Sequence, residues 1–263
     1  KNMARKIVIT SGKGGVGKTT ICANLGMRLA ELGNRVVMLD TDIGLNNLDV
    51  VMNVENRVVY DLADVVEGKC RIKQALIQDL RYPTLFILPS SHLYTDTKIT
   101  SYSIKAVVEI LAETFDYILL DCPAGIDSGF HRAVYSADEV IVVTTPSLSS
   151  IRDASKVLTI LGSYNVSSVS VVVNRMRGDL ILNGKMLDVN QITSLLNANL
   201  IGVVPDDDSI ATLSCTNPFK SAGSIAFKML ADNVHNGKFK LYDYTAKYRG
   251  LFGGIKRTLR RHI

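Results

Sequence analysis

Ten consecutive residues constrain this chain more than any others: Ser11-Gly12-Lys13-Gly14-Gly15-Val16-Gly17-Lys18-Thr19-Thr20. They follow an apolar run, Lys6–Thr10, and open a segment with helical periodicity, Lys18–Leu32. The spacing GxxxxGK[ST] between a strand and a helix lets backbone N–H groups turn inward around phosphate oxygens, and the helix N-terminus adds partial positive charge. Lys18 is placed to reach β- and γ-phosphates, and the Thr19 hydroxyl to ligate Mg²⁺. A strand–loop–helix unit of this kind belongs in a sheet whose ligands bind at the carboxyl ends of the strands.

The rest of the chain agrees. Apolar, β-branched runs recur at Lys6–Thr10, Arg35–Asp40, Leu85–Pro89, Tyr117–Asp121, Glu139–Thr144, Ser168–Asn174 and Leu200–Val204. Helical spacing fills the intervals at Lys18–Leu32, Ile104–Glu113, Ile151–Leu161, Val189–Asn197 and Ser224–Val234. Near-continuous apolar strands alternating with helices predict an α/β fold, a mostly parallel twisted sheet with helices on both faces. One such domain is expected over 1–243, with an amphipathic C-terminal helix in 244–263. There is no Gly/Ser-rich linker or repeat, and 263 residues at 47% hydrophobic suit a single core. No run approaches the roughly 20 apolar residues of a membrane-spanning helix. The first residues lead straight into a strand, without the basic-then-apolar plan of a secretory leader.

Carboxylates stand just after two of the strands. Asp121 ends Leu119-Leu120-Asp121-Cys122-Pro123-Ala124-Gly125, where an acid can hold the hydration shell of Mg²⁺. A surface aspartate capping a strand end is the plainer alternative. Asp40 and Asp42 end Leu39-Asp40-Thr41-Asp42-Ile43-Gly44. One of this pair is expected to face the γ-phosphate and metal and to position the attacking water; Asp42 is the choice, although paired acids also cap loops. The four cysteines show no CxxC spacing and the four histidines are dispersed, so reduced thiols and no zinc site are expected. A guanine-reading [NT]KxD is absent, since Thr97-Lys98-Ile99-Thr100 lacks the acid, and ATP is favoured over GTP.

The loop Lys13-Gly14-Gly15-Val16-Gly17-Lys18-Thr19 resembles the deviant Walker A loop, whose extra early lysine, here Lys13, marks the MinD/ParA family of P-loop ATPases. Asp40–Asp49 is similar to the first switch of the septum-site-determining branch of that family. Arg57–Asp61, Gln74–Ile77, Asp121–Asp127 and Ser150–Ala154 resemble it as well, so the likeness covers nearly the whole chain. The resemblance implies Mg²⁺-dependent hydrolysis of ATP to ADP and phosphate. It implies nucleotide contacts from Gly12, Lys13, Gly14, Gly15, Val16, Gly17, Lys18, Thr19 and Thr20, with Lys13, Lys18, Asp42 and Asp121 in catalysis and Thr19, Asp42 and Asp121 at the metal. It also implies an ATP-dependent homodimer in which Lys13 reaches the other subunit's nucleotide. Recruitment of a MinC-like division inhibitor and stimulation by a MinE-like activator follow from the same likeness. Asn174, Pro205 and Asp206 resemble base-contacting positions, and Asn47 and Asp153 resemble partner-facing ones.

Charge sets the C-terminus apart. Residues 247–263 hold six of the 30 basic residues and no acid, leaving 24 basic against 25 acidic residues elsewhere. Tyr248, Leu251, Phe252, Ile255, Leu259 and Ile263 share one helical face, and the cations occupy much of the rest. That is the pattern of a helix lying in the plane of an anionic membrane, with Leu251, Phe252, Ile255 and Leu259 as membrane contacts. Gly250, Gly253 and Gly254 each cost a helix about 1 kcal/mol relative to alanine. A single tail is then marginal, and two tails joined in a dimer gain from effective concentration. Members of the resembled family end in such a helix, and Gly250-Leu251-Phe252-Gly253-Gly254 resembles its core; this chain departs by continuing through Ile255–Ile263.

Two other readings belong to different classes. A ParA-like partition ATPase would bind DNA, but the near-neutral body and the ordered apolar stripe argue against nucleic acid. An electron-donating iron protein needs a cluster-ligating cysteine several residues beyond Asp121, and Cys122 is too close. The expected location is the bacterial cytoplasm and the inner face of the cell membrane, with the plastid stroma as the alternative.

Overall fold

The computed structural model describes residues 3–44, 47–91, 99–212, 221–250 and 253. Among them, eight strands form one sheet: β1 (Arg5–Thr10), β2 (Val36–Asp40), β3 (Ile77–Gln78), β4 (Leu85–Leu88), β5 (Tyr117–Asp121), β6 (Glu139–Thr144), β7 (Ser168–Met176) and β8 (Asn199–Pro205). The spatial order is β3-β4-β2-β5-β1-β6-β7-β8. The helices are α1 (Lys18–Glu31), α2 (Leu48–Met52), α3 (Leu62–Val66), α4 (Ile72–Ala75), α5 (Ser101–Ala112), α6 (Ser128–Val134), α7 (Leu148–Leu161), α8 (Gly178–Leu182), α9 (Val189–Leu196), α10 (Asp208–Thr212) and α11 (Ala222–Asn236).

All seven runs read as strands from the sequence are strands, and every pairing among them is parallel. The exception is β3, two residues antiparallel to β4, too short to leave a pattern in the sequence. Alternation along the strands divides the core into two layers. On one face α1 and α11 bury Ile21, Leu25, Leu29, Phe227 and Leu230 with Ile7, Ile9 and Leu119. On the other, α5, α6, α7 and α9 bury Ile104, Val108, Phe130, Val157 and Ile192 with Val8, Ile118 and Leu120.

Local chemistry sets the helix starts. The Thr100 hydroxyl accepts from Ser103 N at 3.2 Å while Ser103 Oγ accepts from Thr100 N at 2.8 Å, a reciprocal cap that starts α5 three residues ahead of its apolar periodicity. The same box at Asp188 and Gln191 starts α9. No described helix is long and apolar enough to cross a membrane.

The chain stays on the domain beyond 243. Tyr248, the first residue of the apolar stripe, is only 3% exposed. It sits where a side chain at Gly178 would collide: a Cβ there would lie 2.1 Å from Tyr244 O and 2.9 Å from Tyr248 Cδ2. Tyr248 is therefore a core contact of α8. Leu251, Phe252, Ile255 and Leu259 lie outside the described residues.

Candidate nucleotide site

Central strand β1 runs into the glycine-rich loop, and the loop into α1. Gly15 and Gly17 take φ values of 75° and 97°, a left-handed backbone that side-chain-bearing residues rarely adopt. Gly12 is required for space instead, because a Cβ there would come within 2.3 Å of Asp153 O on α7. Three hydrogen bonds hold the loop, one within it and two from neighbouring segments. Ser11 Oγ donates to Lys13 O (2.8 Å), Gly125 N donates to Ser11 O (3.0 Å), and Asn174 Nδ2 donates to Val16 O (2.8 Å). Lys13, Gly14 and Gly15 are exposed, while Lys18, Thr19 and Thr20 are half-buried at the mouth of α1.

Register brings the acids together. Asp40 on β2 and Asp121 on β5 are cross-strand partners, both buried at the carboxyl ends of their strands. Thr41 joins the two ends, donating to Asp121 O through its N–H (3.0 Å) and its hydroxyl (2.8 Å). The Asp40 carboxylate is occupied structurally: Oδ1 accepts from Asp42 N (2.9 Å), and Oδ2 accepts from Asn47 N and Leu48 N (3.1 Å each). Asp40 therefore shapes the turn that carries Asp42 and fastens the start of α2. Asp42 is half-buried and lies under the charge of Lys18. This division of labour within the pair favours Asp42 as the acid facing a ligand.

Asp121 is the acid best suited to a cation. Its Oδ1 is buried and has no hydrogen-bond partner in the protein, although Thr19 hydrogen-bonds the same side chain. A buried, bare carboxylate oxygen beside a threonine hydroxyl and a half-buried second acid fits a hard divalent ion with oxygen ligands. Burial pushes the Asp121 carboxyl up to about 6, against the opposing influence of Thr19 and Lys18, and Asp42 adds to the rise. Burial, then the neighbouring Asp121, pushes Asp40 up to about 8 despite its three N–H donors. Burial also raises Asp42, with Lys18 opposing.

A pH dependence follows. The folded chain retains protons on Asp40 and Asp121 that the unfolded chain releases near pH 4, so stability falls as pH rises from about 4 towards 8. Each proton contributes a slope of at most ~1.4 kcal/mol per pH unit. The urea midpoint of the nucleotide-free, Mg²⁺-free protein is expected to be lower at pH 8.5 than at pH 5. A flat profile would mean that the pair carries no excess proton.

Asn174 ends β7 beside the loop, with its amide on Val16 O and its Oδ1 accepting from Arg175 N (2.9 Å). Pro205 and Asp206 lie beside the end of β7, where Pro205 is the register partner of Met176 and Asp206 N donates to Met176 O (3.0 Å). Asn47 is exposed at the start of α2. Asp153 pairs with Lys156 (3.1 Å), and its backbone carbonyl faces Gly12. The loop-holding role of Asn174 and the Gly12–Asp153 approach leave no sequence signal, since each joins residues distant along the chain, whereas loop capping was the alternative for the Asp40/Asp42 pair and Asp40 fills it.

A phosphate-cradling loop leaving the central strand of a parallel sheet, facing two buried acids, defines a P-loop nucleotide-binding protein. A family described as an AAA domain matches residues 4–169. The septum site-determining protein MinD of Bacillus subtilis is 44% identical over 262 residues, covering 97% of each chain. The chain belongs to the MinD family of septum site-determining proteins. Among solved structures, the MinC:MinD cell division complex of Aquifex aeolicus superimposes with a TM-score of 0.83 at 38% identity, covering 92% of this chain and 99% of that one. MinD of Pyrococcus horikoshii, solved with Mg-ADP, gives 0.79 at 30% identity, covering 89% of this chain and 96% of that one.

Proposed function

We propose that this chain is an Mg²⁺-dependent ATPase that pairs with a second copy of itself on ATP, settles on anionic membrane and there helps to determine where the septum forms. The observation that carries the reading is the bare, buried Asp121 Oδ1 beside Thr19 and Lys18, at the mouth of a loop whose backbone is held open for phosphate. Similarity to MinD over 97% of the chain supports the role in septum placement.

In this reading the loop N–H groups and the α1 terminus bind the phosphates, and Lys18 stabilises charge developing on the γ-phosphate. Thr19, Asp121 and Asp42 hold Mg²⁺, which when bound neutralises phosphate charge. Asp42 orients the attacking water, half-buried and steered by Lys18. Asn174 and Pro205-Asp206 flank the base. Lys13, exposed on the loop, reaches across to the nucleotide of the second subunit. A MinC-like inhibitor is the downstream partner, by analogy with the Aquifex complex, and a MinE-like activator would reset the cycle at a surface that includes Asn47 and Asp153.

Sedimentation with phosphatidylglycerol vesicles tests the membrane step. Pelleting is expected with ATP, weaker with ADP, and lost when the chain is cut after Gly250. The cut is placed there because Tyr248 is part of the core. A protein that stays soluble with ATP and instead retards DNA would favour the partition reading.

A further inference from the structure

The loop after α11 presents an unusual surface. Gly237, at φ 63°, ends the helix and turns the chain outward. Lys238, Phe239, Lys240 and Leu241 follow, all exposed, with Phe239 at 79%. No other phenylalanine among the described residues is so exposed. A single exposed apolar residue is ordinary; here Phe239 and Leu241 are exposed together, interleaved with two lysines.

The backbone here is fixed by one side chain. Asn233, only 3% exposed, donates through Nδ2 to Lys240 O (3.0 Å) and to Ile201 O on β8 (2.8 Å), and its Oδ1 accepts from Lys240 N (3.1 Å). The loop is thus tied to the edge strand of the sheet from within, and the ring of Phe239 is held outward. Its neighbours are cations. Lys238 has only a 4.0 Å approach to Asp232, and Lys240 makes no ion pair among the described residues. An aromatic ring flanked by two lysines is the chemistry of the bilayer interface, where the ring lies at headgroup depth and ammonium groups meet anionic lipid.

We propose that Lys238–Leu241 is a second lipid contact, carried by the ATPase domain itself and used together with the C-terminal tail. The proposal rests on the membrane reading of that tail. Nine residues separate Leu241 from Leu251, so the chain between them spans at most roughly 35 Å, short enough for both segments to reach one flat surface. Two anchors on each subunit set the domain's angle to the membrane, which one anchor cannot do.

The sequence contains no tryptophan, so Phe239→Trp in the full chain is a single fluorophore at this position. With Mg-ATP and vesicles of phosphatidylglycerol and phosphatidylcholine, its emission is expected to shift to shorter wavelength and to be quenched by brominated acyl chains. Phe239→Ala is expected to lower vesicle partitioning about tenfold, the scale of partly burying one ring. Normal pelleting with unshifted, unquenched emission would overturn this proposal and leave the tail reading intact. Failure of the unsubstituted chain to pellet would remove both. An equal shift on adding duplex DNA, without lipid, would make the loop a polyanion contact and overturn the lipid assignment.

Discussion

Lys18→Ala is expected to reduce ATP turnover by about 10²- to 10³-fold, the scale of removing one preorganised charge from a site where negative charge develops. The effect reaches beyond the lost phosphate contact. Lys18 is the cation that holds down both Asp42 and Asp121 against burial. Without it these acids bind protons more tightly and compete less well for Mg²⁺. The variant is therefore expected to need a higher pH or more Mg²⁺ for its residual activity. Phosphate release at saturating Mg-ATP, measured across pH and Mg²⁺ concentration beside a thermal melt, checks this. A normal rate in a normally melting protein would exclude Lys18 from the machinery.

Asp40→Ala is expected to destabilise the protein by about 2–4 kcal/mol, since three N–H groups lose their acceptor and unsatisfied buried donors cost about 1–3 kcal/mol each. Relief of repulsion with Asp121 offsets part of that sum. For a chain of this size the melting temperature would fall by roughly 5–15 °C. Asp40→Asn keeps an acceptor and removes a charge that burial already disfavours, so it is expected to stay within a few degrees of the unsubstituted chain. Equal losses in the two variants would mean that the charge, rather than the hydrogen-bond geometry, holds the turn. Because Asp40 carries the turn that presents Asp42, both variants also report on catalysis: Asp40→Ala is expected to be slow even where it is folded.

Why the sequence was so readable has a physical basis. Parallel strands covered on both faces must be apolar along their length, so β1, β2 and β4 to β8 stand out as runs. The phosphate loop needs glycine where φ is positive, so Gly15 and Gly17 are forced by the backbone itself. Asp121 stood out in the sequence because an acid ends a fully apolar strand, and in the fold its Oδ1 is buried without a hydrogen-bond partner. What stayed hidden depends on contact between distant segments. Asn174 could be placed at a strand end but not on Val16 O, 158 residues away. Asp40 and Asp42 look alike in sequence, and only the three N–H groups aimed at Asp40 mark it as the acid whose carboxylate is taken up by the turn. Helix α6, seven residues long, is shorter than the two turns over which periodicity becomes visible. Tyr248 kept helical spacing with the tail, yet the absent side chain of Gly178 made room for it in the core.

The Asn233 side chain has a consequence for solubility. Strand β8 lies at one border of the sheet, where free carbonyls would invite a foreign strand, and β3 covers the other border with only two residues. By taking Ile201 O and fastening the chain at Lys240 alongside, Asn233 denies part of that border to any newcomer. For a protein expected to crowd onto a two-dimensional surface, where local concentration rises steeply, a blocked border steers encounters between copies away from open-ended strand addition and towards contacts that close on themselves.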